Sequence, residues 1–104
     1  GMITKTQSDR LKDNWGAPAE ALACYALIRF FDPLSPWECY LLAQNPDDED
    51  EIACLIKGFF VELSHWRLSE LANRYNAAGE PIQIDNHYRP RRAAELFKQL
   101  SEVL

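Results

Sequence analysis

The chain has 104 residues, of which 47% are hydrophobic, 26% charged and 12% aromatic, the proportions of one ordinary globular domain. A chain of this size buries about 60–70% of the surface its unfolded form exposes, so a core without disulfides or a structural metal is expected. The formal charge of −5 comes from 16 acids against 11 bases, and five of the acids are consecutive, Asp47, Asp48, Glu49, Asp50 and Glu51. The acidity is therefore local, which argues against a whole-body nucleic-acid mimic, and the lack of a basic excess argues against a broad DNA binder.

The longest apolar stretch runs from Ala21 to Ile28 before Arg29 interrupts it, well short of the roughly 20 residues that cross a bilayer, so no membrane partner is expected. The N-terminus, GMITKTQSDR, lacks the apolar centre of a secretory signal, and the Gly ahead of Met2 reads as a cloning remnant. A cytoplasmic location is the expectation. Cys24, Cys39 and Cys54 are odd in number and form no C-x-x-C pair, so neither a disulfide framework nor a zinc knuckle is written, and buried free thiols within strands are expected.

Thr4 to Asp13 is polar with Leu11 as an apolar anchor and Trp15 just beyond it; Thr4 can cap a short helix there, lying outside the main domain. Ala21 to Phe31 reads as a strand stopped by the turn chemistry of Asp32, Pro33, Ser35 and Pro36. Trp37 to Gln44 is a second strand, and Asn45-Pro46-Asp47-Asp48 a turn that makes a hairpin with the third. In that hairpin Cys39 and Cys54 would lie opposite each other. The third strand, Ile52 to Leu63, is apolar on both alternating sets and should be central and covered on both faces, with Gly58 marking a bulge or bend. The charged stretch Asp47 to Glu51 then caps the open end of the hairpin as a solvated loop.

Ser69 is a natural N-cap for a helix to Asn76, which Gly79 can end, and Pro81 to Asp85 can add a short edge strand. Pro90 suits the first turn of a last helix on which Ala93, Leu96, Phe97, Leu100 and Leu104 recur at three- and four-residue intervals. The expected fold is α+β: an antiparallel sheet of three to four strands, packed by this amphipathic C-terminal helix and the shorter Ser69–Asn76 helix.

The stretches Gly58 to Leu71 (GFFVELSHWRLSEL) and Gly79 to Asp85 (GEPIQID), with Phe30-Phe31-Asp32-Pro33, Trp37-Glu38-Cys39-Tyr40 and Tyr88-Arg89-Pro90, carry a resemblance over about residues 15–96. In their order they resemble domain of unknown function 2958, a family of small proteins of bacterial plasmids and integrative conjugative elements. Gly58, Glu62, Leu63, Leu68, Glu70 and Leu71 match its pattern, as do Trp37, Tyr40, Pro81, Ile82 and Asp85. Phe60 stands where the family often has an acid and Ser64 where it often has Gly, so a paired-carboxylate chemistry would be left with Glu62 alone. The resemblance implies a mobile-element setting and no established activity.

No G-x-S-x-G surrounds a serine and no glycine-rich phosphate loop is present, so neither catalytic nor cofactor signature is written and no cofactor is expected. His65 and His87, with Glu62 and Asp85, are the side-chain types a metal or an acid–base pair draws on, but Glu62-x-x-His65 on a strand points to opposite faces. Trp37, Tyr40, Phe59, Phe60, Trp66 and Tyr88 could offer a stacking platform for bases, although core packing accounts for most of them.

The sharpest feature is Arg89-Pro90-Arg91-Arg92 at the start of the last helix. Aligned peptide dipoles place partial positive charge there, so each exposed cation costs about 0.3–1 kcal/mol, and the arrangement suits an anion. The plain alternative is that Glu95 pairs with Arg91 or Arg92, or that Asp47 to Glu51 answer them within the fold or in a homodimer. The leading reading is a small binding or accessory protein of the bacterial cytosol, contacting a protein or nucleic acid through Arg89, Arg91, Arg92, Trp66 and Tyr88. Two others stand beside it: a metal-dependent hydrolase or nuclease using Glu62, His65, Asp85 and His87, and an anti-defence protein that uses its acidic loop.

Overall fold

In the computed structural model, which describes residues 2–103, Thr4 starts the first helix with a reciprocal cap. The Thr4 hydroxyl accepts the Gln7 N–H at 3.1 Å and the Gln7 side chain accepts the Thr4 N–H at 2.8 Å, satisfying two donors the helix leaves orphaned. This helix, α1 (Lys5–Asp13), does not lie outside the domain as its polarity suggested. Leu11 is completely buried in the core, the Ser8 hydroxyl donates to the buried amide of Gln44, and the Asn14 amide donates to the Leu42 carbonyl at 3.0 Å.

The expected strand Ala21–Phe31 is three elements. Pro18 in a first turn favours a short helix, α2 (Ala17–Glu20), and Leu22, at φ 54°, takes the left-handed turn that closes it with Ala23 N–H donating to Pro18 O at 2.7 Å. Then come β1 (Tyr25–Ala26) and β2 (Ile28–Phe31). Cys24 precedes β1 and is half-buried, not part of a strand.

The hairpin at Pro46–Asp47 forms as expected, joining β3 (Glu38–Asn45) to β4 (Asp48–Lys57). Its turn is tight, so Asp48 to Glu51 are the first residues of β4 and not a loop. Register shifts between Leu41 and Ala43 and between Gln44 and Asn45 place Cys39 opposite Ile56 and Cys54 opposite Leu41, so the two thiols are diagonal neighbours. Both are free and buried, and burial, with Cys54 alongside, pushes the Cys39 thiol well above the usual range.

The third expected strand breaks at Gly58. Its N–H donates to Phe60 O at 3.0 Å across a turn, and the chain returns as β5 (Val61–Arg67). The two alternating apolar sets of β4 do serve opposite faces. Ile52, Cys54 and Ile56 pack with Leu11 and Phe30, while Ala53 and Leu55 pack with Ala93 and Leu96.

The next helix, α3 (Leu68–Ala72), is shorter than expected, and its N-cap is Arg67 rather than Ser69. Gly79, at φ 77°, serves a turn beyond the helix in which the Asn76 side-chain oxygen accepts the Ala78 and Glu80 N–H groups. The edge strand β6 (Gln83–Ile84) pairs with β2. Arg91–Arg92 are an extended pair, β7, against β1, so the last helix, α4 (Ala93–Glu102), starts after them and Pro90 is not in its first turn. Ala93 and Leu96 are buried, Phe97 and Leu100 half-buried; Leu104 lies outside the described residues.

The result is α+β: a five-stranded antiparallel sheet in the order β5-β4-β3-β2-β6, beside the two-stranded β1-β7 ribbon, with Leu11 of α1 and Leu71 of α3 on one face and Ala19 of α2 and Leu96 of α4 on the other. The strand count exceeds the expected three to four because the runs read as single strands at Ala21–Phe31 and Ile52–Leu63 each contribute two strands, and the arginine segment pairs as a further short one. Among the described residues no helix is long and apolar enough to cross a membrane.

Candidate functional site

The arginine segment is held at a corner of the molecule by backbone pairing. Tyr25 lies across from Arg92 and Ala26 across from Arg91, and Ala93 N–H donates to Cys24 O at 2.8 Å. One end of α4 is thereby fixed to β1, with Tyr88 as a second tie: its hydroxyl donates to Ala26 O at 2.8 Å and its ring sits 5.7 Å from that of Tyr40. Burial pushes the Tyr88 phenol up, so it remains a neutral donor.

Arg92 is exposed, with its guanidinium 5.3 Å from the centre of the Tyr25 ring, Arg91 donates to the Gln99 side chain on the helix, and Arg89 is exposed. Among the described residues no carboxylate lies within ion-pair distance of any of the three. Neither Glu95 nor the acids of β4 answer them. Beside them is an open cavity of about 500 Å³, lined by Arg10, Asp13, Cys24, Tyr25, Arg92 and Glu95. Arg10 and Tyr25 carry no motif; their place at this corner comes from the α1 packing and the β1–β7 pairing, which no local pattern announces.

Trp66 is not part of the corner. It packs on the opposite face of the sheet from Tyr88, 6.0 Å from Trp37, and Arg74 stacks over Trp37 at 4.3 Å and over Trp66 at 5.7 Å. The six aromatics considered as a stacking platform are likewise divided, because Phe59 and Phe60 project from the β4–β5 turn, 96% and 78% exposed, and are not in the core.

The acidic stretch is engaged by its own fold. Asp50 accepts the Ser69 N–H at 2.9 Å and the Ser69 hydroxyl at 2.8 Å, supplying from a distant strand the cap for α3. Arg67 lies 3.3 Å from Asp50 and 3.5 Å from Asp48, Lys12 lies 2.6 Å from Glu49, and Glu51 accepts from Asn45 at 2.9 Å with His65 at 3.5 Å. These donors hold two carboxyls below their usual range: Asp50 through the Ser69 backbone and hydroxyl, Glu51 through Asn45 and then His65.

Glu62, His65, Asp85 and His87 are not brought together. Glu62 and His65 fall on opposite faces of β5, at one edge of the sheet, while Asp85 and His87 follow β6 at the other. Asp85 bonds instead to the His87 N–H at 2.9 Å and to Arg29 at 3.0 Å, and the first of these contributes most to holding its carboxyl low. Arg29 also bonds Glu38 at 2.7 Å, which in turn accepts the Tyr40 hydroxyl at 2.7 Å. Burial works against the Arg29 charge but Glu38 and Tyr40 together outweigh it, and burial and Glu38 together push the Tyr40 phenol up. Among the described residues no three of His, Cys, Asp or Glu are clustered to hold a metal ion.

Compared with known proteins, the chain matches no family model, no curated protein and no solved structure.

Proposed function

We propose that the protein is a small binding or accessory protein that captures an anionic partner surface, on a nucleic acid or a protein, at the corner formed by Arg89, Arg91 and Arg92. The observation that carries this reading is the absence, among the described residues, of any carboxylate paired with these three arginines, although the chain is acidic overall. A helix start repels cations, and that cost is offset when an anion docks across them. Arg10 and Arg92 line one cavity together with Asp13 and Glu95, so the cavity beside the arginines is of mixed charge. The resemblance to domain of unknown function 2958 supports a bacterial mobile-element setting in the cytoplasm, and adds no activity.

Immobilised protein incubated with extract of the native host tests this. An electrostatic partner is retained at low ionic strength and released as salt shortens the screening length from about 10 Å at 0.1 M to about 3 Å at 1 M. A partner held unchanged through that range contradicts the reading.

A further inference from the structure

We infer that β5 is a self-association edge, on which a second copy of this chain adds its own β5 in antiparallel pairing centred on Leu63. Three observations lead there. Among the described residues, β5 ends the five-stranded sheet and nothing pairs with its outer side. It runs seven residues without proline or a bulge against β4, so the ladder groups on its free side are regularly spaced. At its start stand Phe59 and Phe60, 96% and 78% exposed, an apolar pair at a turn where the fold gives them nothing to pack against.

Register arithmetic selects the centre. A twofold axis normal to the sheet keeps each face continuous across the two copies, so residues facing each other must share parity. With the axis at Leu63, Val61 faces His65 of the second copy and Glu62 faces its Ser64, while the turn residues Phe60 and Phe59, just before the strand, come beside its Trp66 and Arg67. Both exposed phenylalanines then gain partners, an aromatic one and a cationic one, and every such contact occurs twice. Glu62 meets a hydroxyl donor, and no like charges stand opposite each other. Moving the axis to Ser64 carries Phe60 past the end of the second strand to Leu68, in α3, and leaves Phe59 without a strand partner. Four phenylalanines at about 150–250 Å² each supply much of the roughly 1,200 Å² that a stable interface buries. The arginine corner lies on β7 and the residues before it, in the two-stranded ribbon and not in the sheet that β5 ends.

Sedimentation equilibrium across a concentration series, with the wild type and a Phe59→Ser/Phe60→Ser variant, measures the association. The wild type should be a dimer at tens of micromolar, and the variant a monomer with an unchanged circular dichroism spectrum and a melting temperature equal to that of the wild type diluted until it dissociates. Register is tested by mixing Glu62→Cys protein with Ser64→Cys protein under mild oxidation, both carrying Cys54→Ala because Cys54 lies directly across from Ser64, which should give cross-linked dimer well above that of either protein alone. A wild type that stays monomeric, as expected if the edge serves a different protein or a membrane surface, overturns the inference. So does a dimer that survives loss of both phenylalanines, or cross-linking no greater in the mixture than in its components.

Discussion

Asp48 to Glu51 and Arg89 to Arg92 are both short runs dominated by one charge, and the fold treats them in opposite ways. The acids enter a central strand, where Lys12, Arg67, His65, Asn45 and Ser69 converge on them from α1, β5, β3 and α3. The arginines enter a two-residue ribbon beside a helix start, and what reaches them is a tyrosine ring and a glutamine. Charge that neighbours from several elements satisfy is part of how the domain holds itself together. Charge placed where the backbone field opposes it, and held in no ion pair among the described residues, is available to something outside.

Substitutions on the acidic strand and at the helix start should separate the two treatments. Gln44 anchors the acidic strand from inside: its amide donates to Glu49 O at 2.6 Å and accepts from Ser8. Gln44→Ala strands both partners and should cost about 1–3 kcal/mol in chemical denaturation. A loss below about 0.5 kcal/mol would mean that α1 is not tied to β4 this way. Asp50→Ala removes the acceptor that caps α3 and should lower the melting temperature clearly, whereas Asp47→Ala, in the turn, should leave it nearly unchanged; equal effects would dissolve the distinction between satisfied and solvated acids.

Acidification probes the same stretch. Asp50 and Glu51 titrate below the ordinary carboxylate range in the folded state, so the stability they contribute is complete above a pH of about 4 and is lost as pH falls through their lowered values. Melting temperature should therefore fall steeply below about pH 4, and less steeply in Asp50→Ala; parallel curves would contradict the assignment. A small effect is expected at Glu95, which has no ion-pair partner among the described residues: Glu95→Gln should cost about 0.3–1 kcal/mol, the exposed-dipole contribution alone, and the same amount in an Arg91→Ala/Arg92→Ala background, where a true pair would make the cost smaller.

The parts of this arrangement legible in the sequence are those with local causes. Thr4 and Gln7 announce the first cap, Asn45-Pro46-Asp47-Asp48 the hairpin, the doubly apolar Ile52–Ile56 a strand covered on both faces, and Ala93, Leu96, Phe97 and Leu100 the face of the last helix. What was not legible depends on contacts distant along the chain. Gly58 could equally bend one strand or divide two, and the choice falls to β5 pairing back along the whole of β4 from Glu51 to Lys57. Arg91–Arg92 reads as the beginning of a helix until β1 pairs with it. Asp50 capping α3 across 19 residues has no sequence signature. The arginine run itself was visible, and its lack of carboxylate partners was not, because Glu95 stands one turn away and only the geometry shows that it makes no pair.

The decisive titration compares the affinity for the captured partner of wild type and of an Arg89→Ala/Arg91→Ala/Arg92→Ala variant with the same melting temperature. At least a tenfold weakening is expected in the variant, about 1.4 kcal/mol or more of lost binding free energy. Equal affinities for the two proteins would contradict it and place the binding surface elsewhere.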